Sequence, residues 1–138
     1  MKREVIQSDL VPSSPLFSQA IKIGNTVFLS GIAAINPMSR KVDAPTIEGQ
    51  TEQAIWNCAS ILQAAGASLD DVVRVVVLLR DPADFERMNS AYSKYFSKNP
   101  PTRAVAKLGV ELPNVLLSIT MTAVILSDPS GGPDVTDA

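Results

Sequence analysis

The chain has 138 residues, the size of one domain, and is long enough to bury a substantial hydrophobic core. It is 46% hydrophobic and only 19% charged, which favours a subunit interface in addition to the core. The net charge of −2 disfavours a protein that binds nucleic acid by neutralising phosphates, so no nucleic-acid partner is expected.

The chain contains no histidine and a single cysteine, Cys58. This excludes Ser-His-Asp or Cys-His catalysis, histidine-ligated metals and an internal disulfide. No apolar run approaches the ~18 residues of a membrane span, and no apolar stretch typical of a secretory signal follows the charged first residues. The sequence therefore predicts a cytoplasmic protein that does not interact with membranes.

The first third of the chain predicts a β-hairpin. Residues 18–23 and 26–30 are strand-like and are joined by Gly24 and Asn25, both of which tolerate positive φ. A further short strand is predicted at residues 4–6. Residues 32–45 are predicted to form a loop.

A helix, a strand and a second helix are predicted to follow. Residues 48–65 carry apolar side chains at spacings of three and four, which predicts an amphipathic helix with Cys58 in the core. Residues 72–79 are almost continuously apolar and β-branched, as in a central strand covered on both faces. Asp81 and Pro82 start a second helix, whose predicted core stripe is Phe85, Met88, Tyr92, Tyr95 and Phe96.

Arg103 follows two prolines and opens a short apolar run, where a buried strand is expected. A buried guanidinium needs a partner, and its planar fork of donors suits a carboxylate held by two parallel hydrogen bonds. Arg103 is therefore a candidate carboxylate anchor; an exposed arginine or a structural ion pair is the alternative.

The final strand is predicted at residues 115–126, and its two faces differ. The odd-numbered residues are apolar and suit packing against helices, whereas the even-numbered ones include Ser118, Thr120 and Thr122. Two helices cannot cover both faces of a five- or six-stranded sheet, so symmetric association is expected to cover the second. Residues 1–127 are predicted to form one domain, and the tail at 128–138 is predicted to be disordered.

Several motifs, in the same order along the chain, resemble those of the Rid family (YjgF, the reactive intermediate deaminases, also labelled L-PSP endoribonucleases). The resemblance runs from about Leu16 to Val124. It rests on Phe17-Ser18-Gln19-Ala20, Leu29-Ser30-Gly31, Gln50-Thr51 with Asn57, the run at residues 61–66, Asp71-Val72-Val73, the run at residues 84–92, Pro101-Thr102-Arg103 and Leu112-Pro113.

The resemblance implies an α+β, chorismate-mutase-like fold: a mixed sheet with two helices on one face, assembled as a homotrimer with clefts between subunits. It also implies hydrolysis of reactive enamines and 2-imino acids to 2-oxo acids and ammonia, without a cofactor. The partners would be a small carboxylate substrate and two further copies of the chain. The implied catalytic residues are Arg103, which would hold the substrate carboxylate, and Ser118; the implied substrate-binding residues are Phe17, Ser30, Gly31, Asn89, Ala104 and Val105.

Three positions depart from the family pattern. Phe17 stands where the family usually has tyrosine, Val105 where it often has cysteine, and Ser118 where it often has a glutamate that orients the attacking water. Two functions therefore stay open: an imine or enamine deaminase, and a non-catalytic or regulatory protein that binds small carboxylates. A ribonuclease is disfavoured by the acidic balance and the absence of histidine.

Overall fold

The computed structural model describes residues 2–126, which form one mixed β-sheet with two α-helices on one side. The strands described in this range are β1 (Arg3–Ile6), β2 (Ala20–Ile23), β3 (Thr26–Leu29), β4 (Val72–Leu79), β5 (Thr102–Lys107) and β6 (Leu117–Val124). The helices are α1 (Ile47–Ala64) and α2 (Phe85–Tyr92), with short 3-10 turns at Leu69–Asp71 and Pro82–Asp84.

The order of strands across the sheet is β1-β2-β3-β6-β4-β5. All neighbouring strands are antiparallel except β4 and β5, which run parallel because α2 carries the chain back between them. The predicted hairpin between β2 and β3 is confirmed. Of its two turn residues only Gly24 adopts a positive φ, of 59°, and Asn25 does not.

The core lies between the sheet and α1. The odd-numbered residues of β6 are buried and alternate with half-buried even-numbered ones, as the sequence pattern predicted. Helix α1 begins after Thr46, whose hydroxyl accepts a hydrogen bond from the Gly49 amide at 3.1 Å. Cys58 is fully buried on the inner face of α1, and burial raises the pKa of its thiol, so it is a core residue.

The predicted burial of two strands is wrong for the single chain. In β4 only one face is covered: Val75, Val77 and Leu79 are buried, whereas Val73 and Arg74 are exposed. The strand that contains Arg103 was predicted to be buried, but β5 is an edge strand and almost wholly exposed. The cause is common to both strands, because the helices form a layer on one face of the sheet only. We call the other face the open face.

Element boundaries also shift from the prediction. The last strand, predicted at residues 115–126, spans Leu117–Val124. It begins later because the amides of Val115 and Leu116 donate to the Leu112 carbonyl oxygen and to Gln50 Oε1, not to a neighbouring strand. Helix α2 ends at Tyr92, so Tyr95 and Phe96 lie beyond it. Of the predicted core stripe, Met88, Tyr92 and Phe96 are buried, but Phe85 is 41% and Tyr95 38% exposed. The predicted tail at residues 128–138 lies outside the described residues.

No helix among residues 2–126 combines the length and the apolar character that crossing a bilayer requires.

Candidate functional site

Arg103 is held against α2 by one hydrogen bond and two aromatic rings. The register pairs Arg103 with Val75, a residue of the covered face, so the side chain projects towards the helices. Its Nη1 donates to Asn89 Oδ1 at 2.6 Å. Its guanidinium carbon lies 4.9 Å from the centroid of the Tyr92 ring and 5.8 Å from that of Phe85. Cation–π attraction and the hydrogen bond therefore fix the orientation of the guanidinium.

The positive charge of Arg103 is not neutralised by any described residue. The ion pairs within residues 2–126 are Arg87–Glu48 and Lys94–Glu52, and neither includes Arg103. Its Nε and Nη2 make no hydrogen bond with the described residues, which leaves two donors of the fork for a ligand. Burial raises the pKa of Tyr92, which therefore stays neutral at pH 7 beside the guanidinium.

A second group of predicted site residues lies where β3 separates from β6. Phe28 pairs with Thr122, and the next pair is Ile32 with Ile119. Between these pairs, the three residues 29–31 lie opposite the two residues 120–121 of β6. This is a β-bulge, and it ends the regular pairing of the two strands. A Cβ on Gly31 would lie 2.8 Å from the Oγ of Ser118, so any larger residue at this position would require the Ser118 hydroxyl or the backbone to shift.

Ser30 and Phe17 belong to the same region. The Ser30 hydroxyl donates to the carbonyl oxygen of Ser18 at 2.7 Å, and the Ser30 amide donates to the carbonyl oxygen of Gln19 at 3.0 Å. Phe17, the residue before Ser18, is 53% exposed. We call Phe17, Ser30, Gly31 and Ser118 the bulge group.

The bulge group and Arg103 are far apart within one chain. Ser118 pairs with Leu78 of β4 and lies on the open face, whereas Arg103 pairs with Val75 and lies on the covered face. Two strand spacings and three residue steps put their Cα atoms about 14 Å apart. Both residues therefore cannot contact one small molecule in a single chain.

The remaining predicted site residues divide between the faces in the same way. Asn89 contacts Arg103 directly, and Val105 lies on the same face of β5 as Arg103. Ala104 pairs with Val76 and so lies on the open face.

Sequence reasoning missed the two rings that hold Arg103. Phe85 and Tyr92 were interpreted as core residues because their spacing fits one helix face. The same spacing could have predicted this contact. Residues 85, 89 and 92 share one face of α2, so their two rings and one amide lie together and can hold a guanidinium.

No metal centre among the described residues coincides with the site, and a cavity of about 700 Å³ lies elsewhere. Among residues 2–126, no group of three or more His, Cys, Asp and Glu side chains could hold a metal ion. This cavity is lined by Lys41, Asp43, Gln50, Arg80 and neighbouring residues, and it contains none of the predicted site residues.

Comparison with known proteins decides the family. The family model Endoribonuclease L-PSP matches residues 8–125, which is most of the chain. The chain belongs to this family, the Rid family.

Members of the Rid family resemble this chain over nearly its whole length. A RutC family protein of Saccharolobus solfataricus is 39% identical, over 88% of this chain and 97% of that protein. A 2-iminobutanoate/2-iminopropanoate deaminase of Dermatophagoides farinae is 32% identical, over 89% of this chain and 97% of that protein. The crystal structure of RidA from an Antarctic Psychrobacter superposes with a TM-score of 0.83 at 33% identity, covering 89% of this chain and all of that one. The predicted Rid fold is thereby confirmed.

The contact between Gly31 and Ser118 leads to a testable prediction for this Rid domain. Gly31→Ala is expected to lower the free energy of unfolding by about 1 kcal/mol, because the new methyl group crowds the Ser118 hydroxyl. Adding Ser118→Ala removes that oxygen and is expected to restore most of the loss. Urea denaturation of the two single variants and the double variant measures the coupling. Full additivity of the two changes would contradict the contact.

Proposed function

We propose that the protein hydrolyses 2-imino acids and their enamine tautomers to 2-oxo acids and ammonia, with the substrate carboxylate bound by Arg103. The observation that carries the proposal is the guanidinium itself: it is oriented by Asn89 and two rings, yet it has no carboxylate partner among the described residues. A planar fork with two available donors matches a carboxylate. The relative named as a 2-iminobutanoate/2-iminopropanoate deaminase supports the reaction type.

The reaction requires little chemical machinery. Water adds to the C2 carbon of the protonated imine, the C–N bond of the tetrahedral intermediate breaks, and ammonia leaves with the 2-oxo acid. The site must hold the carboxylate, orient the water and stabilise the tetrahedral centre. Arg103 would hold the carboxylate. The unpaired backbone groups of the edge strand β5 and of the bulge at Gly31 would help to stabilise the tetrahedral centre. Each contribution is a few kcal/mol at most, which suffices for an intrinsically easy hydrolysis.

The complete site would need a second copy of the chain. Arg103 and Ser118 of the bulge group lie on opposite faces of the sheet, so one protomer presents two separate halves of a site. We infer that the protein forms the homotrimer that the family resemblance implies, in which the bulge group of one copy meets Arg103 of the next.

The open face has the character of an interface. Val5, Ile21 and Phe28 are paired in register and form an apolar row across β1, β2 and β3. Phe28 is 47% exposed in the single chain. An apolar row of this kind on a sheet face without helices favours a protein partner, and a second copy supplies the same surface by symmetry.

One observation favours the alternative function, a non-catalytic protein that binds small carboxylates. The Ser118 hydroxyl makes no hydrogen bond with a described side chain that could act as a base. A serine without a basic partner can hold a water molecule but activates it poorly.

The two functions can be separated by one set of measurements. The 2-imino acid from alanine is generated in situ by an amino-acid oxidase and its decay is followed, while calorimetry measures binding of pyruvate. Accelerated decay supports the deaminase. Binding without acceleration of any imino acid, together with activity in Ser118→Glu, supports the alternative. Absence of both binding and acceleration overturns both functions.

A further inference from the structure

A second cavity lies beside the arginine on the covered face. Its volume is about 370 Å³, within the range of about 300–1,000 Å³ typical of small-molecule sites. It is open to solvent and is bordered by the end of β4, the turn that leads into α2, and the second half of β5. The residues that line it are Leu79, Pro82, Phe85, Val105, Ala106 and Lys107.

This cavity shares a wall with the carboxylate anchor. The Phe85 ring lines the cavity, and its centroid is 5.8 Å from the guanidinium carbon of Arg103. Val105 follows Arg103 by two residues and lies on the same face of β5, about 6.6 Å further along the strand. Arg103 itself does not line the cavity, so a ligand bound at the guanidinium would reach it past the Phe85 ring.

The lining is mainly apolar and is firmly supported. Leu79 is only 2% exposed and forms part of the core, so the inner wall cannot collapse without disturbing the core. Phe85 and Val105 supply the wall nearest to the arginine. The one charged side chain of the lining is Lys107, which lies four residues beyond Arg103 on the same strand, about 13 Å away. The cavity therefore disfavours a cationic substituent.

We propose that this cavity receives the side chain of the substrate, and that the protein prefers 2-imino acids with an apolar side chain of the size found in leucine, methionine or phenylalanine. The inference rests on the proposed role of Arg103 and deepens it. In a 2-imino acid the carboxylate and the side chain are both bonded to C2. A carboxylate hydrogen-bonded to the guanidinium at about 2.8 Å therefore holds the side chain within reach of the Phe85 ring.

The size of the preference follows from burial. Each methylene of substrate that leaves water for an apolar pocket improves discrimination by about tenfold or more. The leucine-derived substrate is therefore expected to exceed the alanine-derived one in kcat/KM by at least tenfold. Its product, 4-methyl-2-oxopentanoate, is expected to bind at least tenfold more tightly than pyruvate.

Three variants test the assignment of the cavity. Phe85→Ala removes the shared wall and is expected to reduce the preference for the leucine-derived substrate about tenfold. Val105→Phe fills the cavity and is expected to reverse the preference. Trp56→Ala is the matched control, because Trp56 is a similarly exposed aromatic residue on α1 that does not line this cavity, and the preference should not change. Phe85 is partly exposed, so its replacement leaves the fold intact.

Each outcome is decisive. Calorimetry with pyruvate, 4-methyl-2-oxopentanoate and 2-oxoglutarate gives the order of affinities for all four proteins. The inference is overturned by equal binding of the first two, by tightest binding of 2-oxoglutarate through Lys107, or by a preference that survives Phe85→Ala. If pyruvate binds but the larger acid does not, the cavity assignment alone fails. If no 2-oxo acid binds, the proposed function fails, and this inference fails with it.

Discussion

Arg103→Ala is expected to lower kcat/KM for 2-imino acids by about a hundredfold, and the affinity for 2-oxo acids by a similar factor. The reason is the loss of a charge-assisted, two-point contact with the carboxylate, which is worth about 3 kcal/mol. Because Arg103 is exposed and forms no ion pair with a described residue, the fold should be little affected. In-situ imine decay and calorimetry with 2-oxo acids measure the two effects.

Two further substitutions show whether the effect belongs to this guanidinium. Arg103→Lys keeps the charge but loses the planar fork, so it should recover only part of the binding. Arg87→Ala removes another exposed arginine, paired with Glu48 at 2.7 Å, and should leave binding unchanged. Wild-type affinity in Arg103→Ala would show that the carboxylate binds elsewhere.

A negative charge on the open face is expected to abolish self-association and, with it, activity. Phe28→Glu places a carboxylate at the inner end of the apolar row, between Ile21 and Thr122, where burial against another copy would leave it unpaired at high cost. Trp56→Glu is the matched control, since Trp56 is 45% exposed on α1, away from the sheet. Analytical ultracentrifugation should show monomers for Phe28→Glu and the wild-type assembly for Trp56→Glu.

Mixed assemblies test whether each site is shared between chains. Arg103→Ala and Gly31→Leu each damage one half of the site, and each is expected to be inactive alone. When the two chains are refolded together, a cleft with both intact halves forms at about one quarter of the interfaces. Activity should therefore return to about one quarter of the wild-type value. A mixture as inactive as its components would mean that each site is built within one chain.

Much of the fold could be predicted from the sequence, because local chemistry determines it. The hairpin at Gly24, helix α1 after Thr46 and the β-branched strand β4 all formed within about two residues of the prediction. What failed was the prediction of burial. A strand face that packs on helices of its own chain and one that packs on another chain are both apolar. The residues of β4 therefore could not show which of its two faces is covered within the protomer.

The candidate site was predicted only in part, for a related reason. The position of Arg103 after two prolines marked it as a carboxylate anchor, and the family resemblance supplied Asn89, which does contact it. The division of the site between two faces could not be predicted, because it depends on the register in which the strands pair. Ser118 follows Arg103 by fifteen residues, but β4 lies between β5 and β6, and the register offsets the two residues along the strands and puts them on opposite faces.

The placement of these two half-sites on opposite faces has a consequence for how the protein works at low abundance. In the proposed assembly an isolated chain holds a complete fold but no complete site. Activity per molecule would then fall when the solution is diluted below the dissociation constant of the trimer, although every chain remains folded. Circular dichroism would stay constant over the same dilution that removes catalysis.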